Sequence, residues 1–255
     1  MLTRVGVHRF RLANTEFEAA YTAKDSTASR FRINKPVEAI AGFPRLRELL
    51  RFKNVLQLAG EDTGSVALTA LVGAPAKLVS VSTHGGAADP LPEFARLRGI
   101  DDRLRTYHEV ALDDRPSLTR IVSDEFGGRN LDVVIDDVSD RLATGLSAFE
   151  TLFARVATGG SYIIERWSWD HFGLELMMAA VETDDIEAAT IEIVDRARAA
   201  KEEFLGAILP LVIETARTRP DLVAAVSVSR YWIEVRRGPA PLDASGVHQL
   251  LREGD

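Results

Sequence analysis

The 255 residues include no cysteine. That excludes a disulfide framework, a thiolate nucleophile and a cysteine-ligated metal. Positive charge is not in surplus either: 31 Lys and Arg against 38 Asp and Glu leave a net charge of −7. Neither a general nucleic-acid surface nor an anionic-membrane surface is expected from that balance. No apolar run approaches the ~20 residues of a membrane span, and the N-terminus lacks the apolar core of a secretory signal. There is no internal repeat and no low-complexity tract. These absences point to a soluble, cytoplasmic protein. What is present is 46% hydrophobic residues, enough at this length for one α/β domain with a small appendage.

The chain is organised around residues 131–167, which read as strand, helix, strand. Val133, Val134 and Ile135 form a β-branched run suited to a parallel strand buried on both faces. The run ends in Asp136 and Asp137. A helix over about 141–156 sets Leu142, Leu146, Phe149, Leu152, Phe153 and Val156 at spacings of three and four, one apolar face. Thr158, Gly159 and Gly160 are expected to stop it, glycine tolerating a left-handed cap. Tyr162, Ile163 and Ile164 make the next strand, ended by Glu165. Three carboxylates thus arrive at the carboxyl ends of neighbouring strands, where open α/β sheets bind ligands.

On either side the same alternation continues. Residues 1–20 read ambiguously between strand and short helix. Residues 22–35 are polar, with Lys24, Arg30 and Arg32, and fit either a solvated loop or a lid. Residues 36–50 read as a helix broken near Gly42, Phe43 and Pro44. Asn54–Ala59 is the first core strand, followed by a glycine-bearing turn and a helix over 60–73. Lys77–Ser82 is the second strand. Nucleotide-binding α/β folds usually end that strand with an acid, which accepts both ribose hydroxyls; here Ser82 stands there. One hydroxyl in place of that contact costs about 1–3 kcal/mol of affinity. His84 and His108 read as ordinary loop and strand histidines. Trp167 and Trp169 suit either a sugar-binding face or packing against the next helix. Residues 183–217 read as a long helix kinked or divided at Pro210. Residues 222–229 and 231–235 read as a closing antiparallel hairpin. The expected division is an N-terminal arm over 1–44, an α/β domain over 45–238 and a tail over 239–255.

This arrangement resembles class I S-adenosylmethionine-dependent methyltransferases. Within them it is nearest the metal-dependent macrocin and rhamnosyl O-methyltransferases and the cephalosporin-hydroxylase-like proteins. The residues that carry the resemblance are Asp136-Asp137-Val138-Ser139-Asp140 against Asp-Asp-Gly-Ser-His, then Leu152-Phe153, Gly159-Gly160, and Ile164-Glu165-Arg166 against Ile-Glu-Asp. The match covers roughly residues 45–238. It implies a Rossmann-like seven-stranded sheet with helices on both faces and a closing antiparallel hairpin. It also implies S-adenosylmethionine as cofactor, with Gln57, Gly60, Gly64, Ser65, Ser82 and Asp136 on the cofactor side. Asp137 and Glu165 would hold Mg²⁺. Arg166 replaces the third ligand and Asp140 the histidine base. Arginine supplies charge in place of a ligand and could mimic the metal, so the balance is against Mg²⁺; if an ion binds, Asp140 or Asp136 is the substitute ligand. Asp140, Asp137 and Arg166 are the catalytic candidates, and Asp140 equally suits a helix cap.

Two functions follow. The first is O-methylation of a hydroxyl on a sugar or other small natural product. The second is a methyltransferase fold that has lost methyl transfer, serving as a partner subunit or recruited to other chemistry. Gln57, Ala59, Ser82, Asp140 and Arg166, all departures from the family pattern, favour the second. A homo-oligomer fits either. A dinucleotide ligand is disfavoured, since there is no Gly-x-Gly-x-x-Gly pattern.

Overall fold

The computed structural model describes residues 1–20, 25–60, 62–86, 89–127, 130–138, 142–165, 167, 188–242 and 247. Two sheets organise them. The larger has seven strands: β5 (Asn54–Leu58), β6 (Lys77–Val81), β7 (Leu104–Tyr107), β8 (Leu131–Asp136), β9 (Val156–Glu165), β10 (Val223–Val228) and β11 (Trp232–Arg237), in spatial order β10-β11-β9-β8-β5-β6-β7. The five strands β5 to β9 run parallel, and the β10–β11 hairpin closes the sheet antiparallel to β9. The α/β class and the closing hairpin are those expected from the sequence. The chain winds outward from β5 through β6 to β7, then returns to start β8 on the other side of β5. The β5–β8 junction is therefore the switch point, the place at the strands' carboxyl ends where open α/β sheets bind ligands.

Alternation along the strands divides the core in two. Val55, Val133, Ile135 and Ile163 face one layer, with helices α1 (Val37–Leu49), α2 (Thr63–Gly73) and α3 (Leu91–Arg98). Leu56, Val134, Tyr162 and Ile164 face the other, with α4 (Arg115–Phe126), α5 (Leu142–Phe153) and α6 (Ala188–Thr218). Because the side-chain period is two, adjacent Asp136 and Asp137 leave the sheet toward opposite layers.

Several local expectations are corrected. Residues 1–33 hold a four-stranded sheet: β1 (Thr3–Arg4), β2 (Arg9–Leu12), β3 (Thr15–Ala19) and β4 (Arg30–Ile33). The stretch read as a solvated loop or lid thus contains a strand. Its RFRI run buries Phe31 and Ile33, and the Phe31 ring meets Phe94 of α3 edge-on at 5.3 Å. Four residues of alternation inside a polar segment are too few to stand out. Helix α1 is continuous through Pro44 and crosses position 44 without a break; α6 likewise continues through Pro210. The glycine pair does not cap α5, which ends at Phe153. Gly159 and Gly160 lie inside β9, where the β8 pairing shifts register. Gly159 takes φ +74°, and a Cβ on Gly160 would sit 2.7 Å from the Asp132 carbonyl oxygen. The pair serves a strand irregularity and close backbone approach, needs that glycine also meets. No helix among the described residues is long and apolar enough to cross a membrane.

Candidate functional site

The site is built on the layer that carries the N-terminal sheet. Gln57 leaves β5 toward that layer. Asp137 and Glu165, at the ends of β8 and β9, do so as well. They arrive at one level, since Asp136 pairs with Ile164 and the two acids come next on each strand. All three are buried.

Between the two acids lies a cation that sequence reasoning missed. Lys35, only 3% exposed, donates from Nζ to Asp137 Oδ2 at 2.9 Å and to Glu165 Oε2 at 2.8 Å. These partners lie 102 and 130 residues away along the chain. Burial pushes the Glu165 carboxyl above the usual range; the Lys35 ammonium pulls it down, and the Asp137 charge raises it again. Desolvation of a carboxylate acts in that direction, and a close cation opposes it.

Lys35 is delivered by a short, firmly held segment. Asp62 caps α2: its Oδ1 accepts from Ser65 N–H at 2.9 Å. Its other oxygen accepts from Asn34 N–H at 3.0 Å. One carboxylate therefore ties the start of α2 to the exit of β4. Just before it, the Arg32 carbonyl lies where Gly64 has no side chain; a Cβ there would be 2.6 Å from that oxygen. The glycine of the Gly64-Ser65 motif is thus required by the chain's own packing.

The other sequence candidates are placed as follows. Gln57 Nε2 donates to Ser65 Oγ at 3.0 Å, while its buried Oε1 has no hydrogen-bond partner among the described residues. Gly60 turns the chain after β5 at φ +39°, with Val138 packed against it. Ser82 Oγ donates to the Gly60 carbonyl at 2.7 Å and accepts from His84 N–H at 3.0 Å. Asp136 leaves toward the opposite layer, where Oδ2 accepts from Tyr162 O–H at 2.7 Å and Oδ1 from Val138 N–H at 3.2 Å. Trp167 donates its indole N–H to the Ser229 carbonyl and packs against the second core layer. Asp140, Arg166 and Trp169 lie outside the described residues.

The Tyr162–Asp136 pair should matter for stability. Both residues are fully buried. Tyr162→Phe removes the O–H that donates to Asp136 Oδ2 and should cost about 1–3 kcal/mol in urea unfolding. Burial, then the Asp136 charge, raise the phenol well above its ordinary value. A raised folded-state value means the folded chain keeps its proton where the unfolded chain loses it. The contribution is therefore full below about pH 10 and falls as pH rises beyond it. The steepening loss of stability in alkali should be smaller in Tyr162→Phe.

Sheet order, switch point and closing hairpin define the class I methyltransferase fold. No family model and no curated protein matches the sequence. Solved structures do match. A protein assigned as a caffeoyl-CoA O-methyltransferase from Staphylococcus aureus superposes with a TM-score of 0.50 at 10% identity, over 80% of this chain and 87% of that one. The MycE methyltransferase of the mycinamycin biosynthetic pathway, solved with Mg and S-adenosylhomocysteine, gives 0.48 at 19% identity, over 79% of this chain and 48% of that one. An O-methyltransferase from Bacillus cereus, solved with S-adenosylhomocysteine, gives 0.45 at 15%, over 78% and 89%. This chain spans about half the length of MycE.

The acid pair does not fit the Mg²⁺ that the resemblance implies. Mg²⁺ takes near-octahedral oxygen ligands at about 2.0–2.1 Å. Here the two carboxylates stand at hydrogen-bond distance from an ammonium, which would repel a second cation beside it. No group of three or more His, Asp or Glu that could hold a metal occurs among the described residues.

Proposed function

We propose that this chain is an S-adenosylmethionine-dependent O-methyltransferase that acts on a hydroxyl of a sugar or other small natural product without a divalent metal. The observation that carries the reading is the β5–β8 switch point, with Gln57 and Gly60 at the end of β5, Asp137 after β8 and Glu165 at the end of the neighbouring β9. The switch point suits the cofactor at Gln57, whose buried Oε1 lacks a partner among the described residues and would accept a hydrogen bond from a bound N–H. It suits the ribose less well. Ser82 is committed to Gly60 and His84, so binding is expected to be about ten- to a hundredfold weaker than with a carboxylate there.

The cofactor supplies an electrophilic methyl group on a positively charged sulfur. What remains for the chain is alignment and proton removal. In this reading Gly60, Gly64 and Ser65 shape the methionine side, and Asp137 and Glu165 hold Lys35. The ammonium gives the acceptor side one fixed positive charge. The role of taking the acceptor's proton falls to Asp140, and Arg166, next to Glu165 in sequence, is the further source of positive charge. Asp136 belongs to the support behind the switch point through Tyr162.

A second reading, loss of methyl transfer with a role as partner subunit, draws on one specific observation: the Ser82 hydroxyl and the Gly60 carbonyl satisfy one another. Calorimetric titration with S-adenosylmethionine and S-adenosylhomocysteine separates the two. Micromolar binding, unchanged by Mg²⁺ or by chelator, is expected. No binding up to millimolar cofactor would remove the enzyme reading and leave the second.

A further inference from the structure

Two buried carboxylates at the end of a sheet need a counter-charge. The chain can recruit one from solvent or carry its own. Three consecutive features of the β4 exit show that it carries its own. The Arg32 carbonyl seats on Gly64, Asn34 N–H is held by Asp62, and Lys35, next in the chain, reaches the acid pair. Side-chain exposures of 4% for Lys35, 1% for Asp137 and 5% for Glu165 leave bulk water little share in the balance. A surface ion pair would not need such seating. The geometry also selects the cation. Oxygens 2.8 and 2.9 Å from the nitrogen stand at hydrogen-bond distance for an ammonium, against the ~2.0–2.1 Å of a Mg²⁺ ligand.

We propose that Lys35 is a tethered cation standing permanently in place of a divalent ion between Asp137 and Glu165, and that clearing position 35 opens a divalent-cation site on those two acids. The N-terminal sheet is then the device that delivers the charge. It makes the acid pair independent of metal supply. This goes beyond methyl transfer and holds whether or not the cofactor binds.

The experiment uses the full chain and Mn²⁺ as probe, read by paramagnetic resonance of the free ion and by thermal unfolding. Wild type should leave the free-ion signal unchanged, and its unfolding midpoint should not respond to millimolar Mn²⁺ or to EDTA. Lys35→Ala should melt lower. It should take up Mn²⁺, and millimolar Mn²⁺ should raise its midpoint by roughly 3–6 °C. Lys35→Ala combined with Asp137→Asn should lose that response, which locates the ion. A side chain that merely fills space would show the lower midpoint without the Mn²⁺ rescue. Lys35→Gln, neutral and of similar reach, takes the place of Lys35→Ala if the latter is not recovered folded. Micromolar Mn²⁺ binding by wild type overturns the proposal, as does a folded position-35 variant that ignores Mn²⁺. Neither result depends on the cofactor titration, which alone decides the methyltransferase reading.

Discussion

Lys35→Met should destabilise the chain by about 3–5 kcal/mol, the usual cost of removing one partner from a buried ion pair. Methionine keeps most of the side chain's length and volume, so little of the loss is packing. What is lost is the cation that donates to both buried carboxylates, Asp137 and Glu165. For a chain of this length the unfolding midpoint should fall by roughly 10 °C, at about 2–4 °C per kcal/mol. The exposed Arg217–Glu214 pair provides the contrast. Its side chains are 72% and 55% exposed, and Arg217→Met should leave the midpoint where it is, since solvent screens such pairs. Replacing all three site residues together, as Lys35→Met, Asp137→Asn and Glu165→Gln, should recover much of the loss, because no unpaired charge then stays buried. A Lys35→Met protein as stable as wild type would mean that the two acids find another cation or are neutral in the fold.

That counter-charge marks the limit of what could be read from residues alone. The sheet was legible because each parallel strand is buried on both faces and appears as a short apolar run, as at Val133–Ile135. The closing hairpin was legible from two β-rich runs close together. The three carboxylates at strand ends were legible too, and with them the need for positive charge; Arg166, the neighbour in sequence, was the natural candidate. Lys35 carries no local signal. It ends a polar stretch, precedes a proline, and meets its partners only after the chain has folded over more than a hundred residues. Short-range periodicity cannot report a contact of that separation. The one available hint was the alternation of Arg30, Phe31, Arg32 and Ile33, which marks a strand and so a fixed exit direction for the residues after it. The glycines show the converse problem. Gly64 matched a cofactor motif and Gly159-Gly160 a helix stop, yet backbone contacts with Arg32 and Asp132 explain why glycine stands at 64 and 160. Glycine reports that space is short without saying which neighbour takes it.

Gly64→Ala therefore has an expected sign opposite to that of an ordinary helix substitution. In an open helical position, alanine for glycine should stabilise by about 0.5–1 kcal/mol. Gly206, exposed in α6 with nothing within 4 Å of a Cβ, is the internal standard for that gain. At Gly64 the new Cβ would lie 2.6 Å from the Arg32 carbonyl oxygen, 2.8 Å from Ile33 Cγ1 and 3.1 Å from Phe31 Cβ. The Ile33 side chain can turn, but the Arg32 carbonyl moves only if β4 moves. Overpacking of that kind costs about 1–3 kcal/mol, more where backbone must shift, so the clash outweighs the helical gain. The damage should also be directional. Lifting β4 strains the Asn34–Asp62 hydrogen bond and draws Lys35 from between Asp137 and Glu165. Amide exchange should accordingly rise over residues 30–35 while the central strand β8 keeps its protection. On the proposed methyltransferase reading, cofactor affinity should fall with it, since Asp62 holds both Asn34 and the start of α2. Unchanged stability and exchange in Gly64→Ala would show that the N-terminal sheet does not rest on α2 in solution, and the delivery of Lys35 to the acid pair would lose its mechanical basis.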